Sequence, residues 1–330
     1  MWDFSLARSM SIMVQTLPFI GLRCLVYFGI TLGYIILTGI GAGVGWAIGG
    51  LGSEGFQASA TFWGGAAGFG LSAGIVYFLR EYILYMVKAG HIAVMVQLLN
   101  GQGIPAGKSQ IHYASTQVKA RFAQANVLFV MDQIIKGVVR AITGLVQGVG
   151  SLLPIPGVSQ LMGVVRAFLK VAVGLVDEVI LAYAIHTQSH NPWVSARTAL
   201  VLYAQNGSAM LKNAAWLTLI TYGLSALVFL VILAPAAALV YFMPGTGSAS
   251  GVVFALLFAW ALKAAILEPF ALACLLQAYF HVTQDQTPDA VWESRLESGS
   301  RKFAQLKDKA SSWGTRPHTT TTVTPNSQAE

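Results

Sequence analysis

Charge is what this sequence has least of. Asp, Glu, Lys and Arg make up 10% of its 330 residues, against about 25% in an ordinary soluble domain. Cysteine is nearly absent too: Cys24 and Cys274 alone support neither a disulfide framework nor a thiolate metal cage. A Gly-rich phosphate loop with its lysine, a nucleophile elbow and an HExxH helix are all missing, so the chain reads as a non-enzyme with no cofactor and no metal. His186 and His190 stand four residues apart without a nearby cysteine or carboxylate cluster, and read as interfacial residues rather than ligands. Asp177 and Glu178 are neighbours in sequence, so on a helix they diverge and do not form an acid/base pair.

Apolar sequence fills the space that charge leaves. Hydrophobic residues account for 55% of the chain and the mean hydropathy is +0.63, which indicates an all-α polytopic membrane protein. The formal charge of +7 then reads as a cytoplasmic bias that sets topology, and not as a nucleic-acid-binding surface. The first apolar segment is long and lacks a small-residue cleavage site, so it is expected to remain as the first membrane helix.

Six runs approach the roughly 20 apolar residues that cross a bilayer. They fall into three hairpins, or four spans if the middle hairpin lies at the interface. The expected divisions are an N-terminal interfacial segment (1–24), a glycine-rich transmembrane hairpin (25–79) and a cytoplasmic amphipathic region (80–125). A polar-striped helical hairpin (126–183), a cytoplasmic connector (184–213) and a C-terminal transmembrane hairpin (214–280) follow. Residues 281–330 read as a basic amphipathic helix and a disordered tail. The connecting loops 51–55, 151–160 and 244–250 contain no Lys or Arg, which places them outside and both termini in the cytoplasm of a plasma membrane, the bacterial inner membrane.

The first hairpin carries Gly41, Gly45 and Gly49, then Gly64 with Gly68 and Gly70 with Gly74, each at four-residue spacing. Small residues at that interval let helix backbones approach closely, either within one hairpin or across a homo-oligomer seam.

Two constellations are candidates for function. Along 126–183, Asp132, Lys136 and Arg140 recur on one helical face, and Arg166, Lys170 and Asp177 on another. An Asp four residues before a Lys permits an ion pair. The stripes read as a polar pathway, an anionic headgroup site, or a self-neutralised seam. In the last apolar run, Lys263 falls about a dozen residues from loop 244–250, near the expected midplane. Glu268 precedes Pro269, whose ring frees a carbonyl, and Trp260 offers an aromatic face, so the three form a candidate cation or coupling site. In a regular helix the five-residue step from Lys263 to Glu268 turns the side chains about 140° apart.

From 117 to 289 the chain resembles the choline transporter-like family. The residues that carry the resemblance are Arg121-Phe122-Ala123-Gln124-Ala125-Asn126-Val127-Leu128-Phe129 before Arg140, then Ser195-Ala196-Arg197-Thr198-Ala199 with Asn206. The last is the closing helix through Phe270 and Cys274 to Gln284-Asp285. The resemblance implies a permease for a small polar or charged solute such as an organic cation. It carries over no binding residue, and this chain has neither that family's large extracellular loop nor its cysteine-rich character. The alternative is a non-transporting scaffold or assembly subunit of an envelope complex. The expected partners are the lipid bilayer, with anionic headgroups along the basic faces, and a second copy through the glycine seams.

Overall fold

The computed structural model describes residues 2–122, 127, 130–139, 174–242, 256 and 258–313, and every regular element among them is helical. In order these are α1 (Leu6–Gln15), α2 (Leu17–Gly49), α3 (Glu54–Leu99) and α4 (Gln110–Phe122). After a helical segment at 130–139 come α5 (Val176–His186), α6 (Pro192–Gln205) and α7 (Gly207–Phe242). The last part holds a π turn (Lys263–Leu267), α8 (Glu268–Val282), α9 (Ala290–Gly299) and α10 (Arg301–Ser312). Loops 151–160 and 244–250, Arg140, Arg166, Lys170 and residues 314–330 lie outside the described residues.

Three helices among the described residues are long and apolar enough to cross a membrane, against the six spans expected. They are Leu17–Gly49, Gly207–Leu233 and Phe258–Val282, and they differ in where their apolar surface goes. The most apolar windows of the first two are only 17% and 11% buried, whereas that of Phe258–Val282 is 72% buried. The outer two therefore present Leu25, Ile36, Ile40, Val44, Leu227, Leu230 and Val231 to the surroundings, as lipid-facing helices do. Phe258–Val282 runs into the protein core.

The glycine seam closes α2 onto α3. A Cβ at Gly41, Gly45, Gly64 or Gly68 would collide with the facing backbone carbonyl of Gly64, Ala60, Gly41 or Leu37 respectively, and one at Gly49 would lie 2.5 Å from the Gln57 Cα. These positions are glycine because the helices touch backbone to backbone. Gly70 and Gly74 have nothing within 4 Å among the described residues and take no part in the seam. The pairing continues to the far end of both helices, where the His91 ring stacks on Phe19 at 5.3 Å and its Nε2 lies 2.9 Å from the Thr16 hydroxyl.

Several expected boundaries move for identifiable reasons. No proline or paired glycine interrupts residues 75–99, so α3 runs 46 residues through the expected boundary at 79–80. Segment 1–24 splits at Thr16: α1 packs beneath α8, with Ser9, Ile12 and Met13 buried and the Ser9 hydroxyl 3.0 Å from the Cys274 thiol. The C-terminal amphipathic helix is two helices broken at Ser300, which is extended (φ −147°) and whose hydroxyl accepts from the Phe303 N–H. Phe303 and Leu306 are fully buried, and the Arg197 guanidinium of α6 holds Glu293 at 2.6 Å and also Glu297. That apolar face is thus spent on protein.

The core lies at this base of the molecule. Ala89, Ile92 and Met95 of α3 meet Ile180 and Leu181 of α5, Leu202 of α6, and Leu276 and Tyr279 of α8, all essentially inaccessible. Each such large side chain contributes about 1.5–3 kcal/mol of burial.

Candidate functional site

Four elements bring charge together where the lipid-facing helices enter the base. α2 supplies Arg23, α3 supplies Lys88, α5 supplies Asp177 and Glu178 in its first turn, and α8 begins with Glu268. Local structure explains the acidic start of α5, which has no side-chain N-cap: carboxylates in its first turn offset the exposed N–H groups and the positive end of the helix dipole. α8 continues directly from the π turn within the helix Phe258–Val282, so Glu268 and Pro269 stand where the regular helix is interrupted rather than at a free end.

Lys88 is the hub. Its ammonium lies 2.7 Å from Glu178 and 3.8 Å from Glu268. The first is a short charge-assisted hydrogen bond; the second is a looser ion pair. Arg23 is 1% exposed, and its Nε and Nη2 have no hydrogen-bond partner among the described residues. On the 130–139 segment, Lys136 pairs with Asp132 at 2.8 Å, one helical turn away, and Gln133 donates to the same carboxylate at 3.2 Å. Among the described residues the cluster holds four cations (Arg23, Lys88, Lys136, Lys263) and four carboxylates (Asp132, Asp177, Glu178, Glu268), so its side chains balance in formal count.

Two cavities adjoin this cluster. One, of 130 Å³, is lined by Tyr27, Tyr85, Lys136, Asp177, Glu178 and others; the second, of 240 Å³, by Thr221, Tyr222, Ser225, Lys263 and others. Lys88 and Glu268 line both. The looser of the two ion pairs therefore forms a wall that the two cavities share.

Of the residues singled out in the sequence, Lys136 and Asp177 line the smaller cavity, and Asp132 stands behind Lys136. Lys263 and Glu268 line the larger cavity together, contrary to the 140° separation expected of a regular helix. The reason is the π turn: the Glu268 N–H bonds to the Lys263 carbonyl, so five residues close one turn and the two side chains stack on one side. Trp260 lines neither cavity. Its ring meets Tyr27 edge-on at 5.6 Å, while the Lys263 ammonium lies over the Tyr222 ring at 5.8 Å. His186 bonds Asn100 at 2.8 Å and stacks on Phe280, away from the cluster.

Sequence reasoning did not single out Arg23, Lys88 or Glu178. Arg23 and Lys88 each stand in a strongly apolar run, and an isolated cation in such a run signals a buried partner. Glu178 carried the same signal beside Asp177 in its apolar run, but its pairing with Lys88, 90 positions away, had none.

Comparison with known protein families, curated proteins and solved structures finds no match to this chain.

Proposed function

We propose that this chain is an integral membrane permease in which the Lys88–Glu268 pair gates the passage of a small polar or charged solute between the two cavities. The reading rests on one observation: the same two side chains line both cavities and meet at 3.8 Å. A pair at that distance exchanges partners more readily than the 2.7 Å contact to Glu178, which anchors Lys88. Glu268 is the gate's moving part.

The placement in the bilayer follows from two aromatic belts. Trp46, Trp63 and Phe62 are exposed near the α2–α3 tip, and Trp260 and Tyr222 are exposed near the base. Because Trp260 packs on Tyr27, the belts are separated by the Tyr27–Trp46 stretch of α2, about 29 Å at the α-helical rise. Such belts mark the two membrane interfaces, and the hydrocarbon core between them is about 30 Å thick. Lys263, Lys88, Glu178 and Glu268 then sit just beyond the inner belt. This position at the boundary, rather than the midplane expected for Lys263, removes most of the cost of placing charge in lipid. Tip 51–55 holds no Lys or Arg, whereas Arg8, Lys108, Arg197, Lys212 and Arg295 belong to the base, so the base with both termini faces the cytoplasm. The six-span arrangement of three hairpins is retained in this proposal, its middle hairpin falling mostly outside the described residues. The organic cation implied by the family resemblance is the first solute to try.

The test is passive flux in proteoliposomes, with protons, sodium and methylammonium as probes. Glu268→Ala is expected to raise flux of at least one probe about tenfold over the unaltered protein, the effect of removing a barrier of roughly 1.4 kcal/mol. Equal and negligible flux for both proteins, with cysteines at the cavity positions shielded from an impermeant thiol reagent, replaces this reading with the scaffold.

A further inference from the structure

We propose that the 240 Å³ cavity binds the headgroup of a zwitterionic phospholipid bearing a primary ammonium. The inference concerns equilibrium binding and stands whether or not the chain transports a solute.

The donors and acceptors of the cavity wall select the ligand. The Thr221 hydroxyl donates to the Leu217 carbonyl at 2.8 Å, and the Ser225 hydroxyl donates to the Thr221 carbonyl at 2.6 Å. Both hydroxyl protons are committed to α7, so each oxygen offers the cavity only lone pairs. The Glu268 carboxylate is a third acceptor in the same wall. Lys88 is already engaged by Glu178 and Glu268. A ligand entering here must therefore donate hydrogen bonds and carry positive charge. A primary ammonium does both, whereas a quaternary ammonium has no N–H.

The cation of the wall selects the other half of the ligand. Lys263 is exposed, lies over the Tyr222 ring, and makes no salt bridge among the described residues. Its ammonium is suited to a phosphate placed a few bonds from the ligand's amine. The π turn is what sets these opposite charges on one cavity, because it stacks Lys263 and Glu268 across five residues. π turns of this kind recur at functional sites.

The rim identifies the source. Tyr222, which lines the cavity, is 50% exposed, and Leu219 and Leu262, close in sequence to the lining residues Thr221 and Lys263, are 58% and 36% exposed, so apolar surface continues along the same two helices. A headgroup held inside leaves its acyl chains against this surface at the level of the inner belt. A soluble phosphate ester gains nothing from it.

The test uses the full-length protein in detergent, titrated with phosphatidylethanolamine, phosphatidylcholine and phosphatidylglycerol, with retained lipid counted by native mass spectrometry. Phosphatidylethanolamine is expected to bind about tenfold more tightly than phosphatidylcholine, the consequence of leaving a buried acceptor unpaired. Thr221→Val should narrow that preference. Lys263→Gln, at an exposed position that does not threaten the fold, should weaken both lipids equally. Equal retention of the two zwitterionic lipids by the unaltered protein overturns the assignment, as does unchanged retention in Lys263→Gln. Tighter binding of phosphatidylglycerol than of either overturns the role of the ammonium. Displacement by soluble phosphoethanolamine at concentrations equal to those of the lipid overturns the membrane as its source.

Discussion

Replacing Gly41 by alanine is the sharpest test of how the α2–α3 hairpin is held. The added methyl would collide with the Gly64 carbonyl and lie 3.1 Å from the Gly68 Cα. Both are backbone, so neither can rotate aside and the helices must part. Overpacking of this kind costs about 1–3 kcal/mol. Gly74→Ala adds the same methyl to the same hairpin in open space, where alanine gains up to about 1 kcal/mol over glycine in a helix. That gain is common to both substitutions, so the pair of variants differs by the overpacking cost alone, about 1–3 kcal/mol, or about 1.5–4 °C in Tm for a chain of 330 residues. Thermal unfolding in detergent, followed by tryptophan fluorescence from Trp46 and Trp63 beside the seam, measures the difference. Melting of both variants within a degree of each other would refute the argument. Loss of an oligomer on Gly74→Ala, with Gly41→Ala silent, would mean that copies of the chain meet through the Gly74 face and that the Gly41 contact does not hold the hairpin.

Three further outcomes are expected. Glu178→Gln leaves Lys88 with only the distant Glu268, and breaking a largely buried pair from one side costs about 3 kcal/mol; the double change with Lys88→Met should recover most of the lost thermal stability. Arg197→Lys gives up the fork that holds Glu293 and Glu297 and should loosen α9 and α10 by about 1 kcal/mol, seen as faster proteolysis near Pro288. The N-terminal segment should detach in acid: hydrogen bonding from Asn213, aided by Lys212, holds the Asp3 carboxyl below its ordinary 3.8 against a smaller opposing effect of burial. A depressed carboxylate stabilises fully above its unfolded value and loses that contribution as pH falls through the lower folded one, so hydrogen exchange of residues 2–9 should rise below about pH 4, and Asn213→Ala should produce the same exchange at neutral pH.

The site was partly legible. Lys263, Glu268, Asp132, Lys136 and Asp177 stood out because charge in an apolar run is costly and therefore needs a reason. Their partners did not, since Lys88–Glu178 and Lys88–Glu268 join residues 90 and 180 positions apart, and no local period encodes such a pairing. The Lys263–Glu268 geometry was misjudged because a π turn leaves the composition of a helix unchanged while altering its rotation.

The sequence by itself determined the environment and the helices: low charge, long apolar runs and glycine at four-residue intervals admit an all-helical, membrane-crossing chain, because each property is local or additive. It also determined the Asp132–Lys136 pair, which one helical turn suffices to form. Only the tertiary structure decided which apolar helix is buried, since Phe258–Val282 and Leu17–Gly49 are both apolar and differ in what packs around them. It likewise decided that five glycines serve one intrachain seam while Gly70 and Gly74 do not. Finally, it set Lys88 between Glu178 and Glu268 as a wall common to two cavities, because proximity between distant residues is a property of the packed chain and of no segment within it.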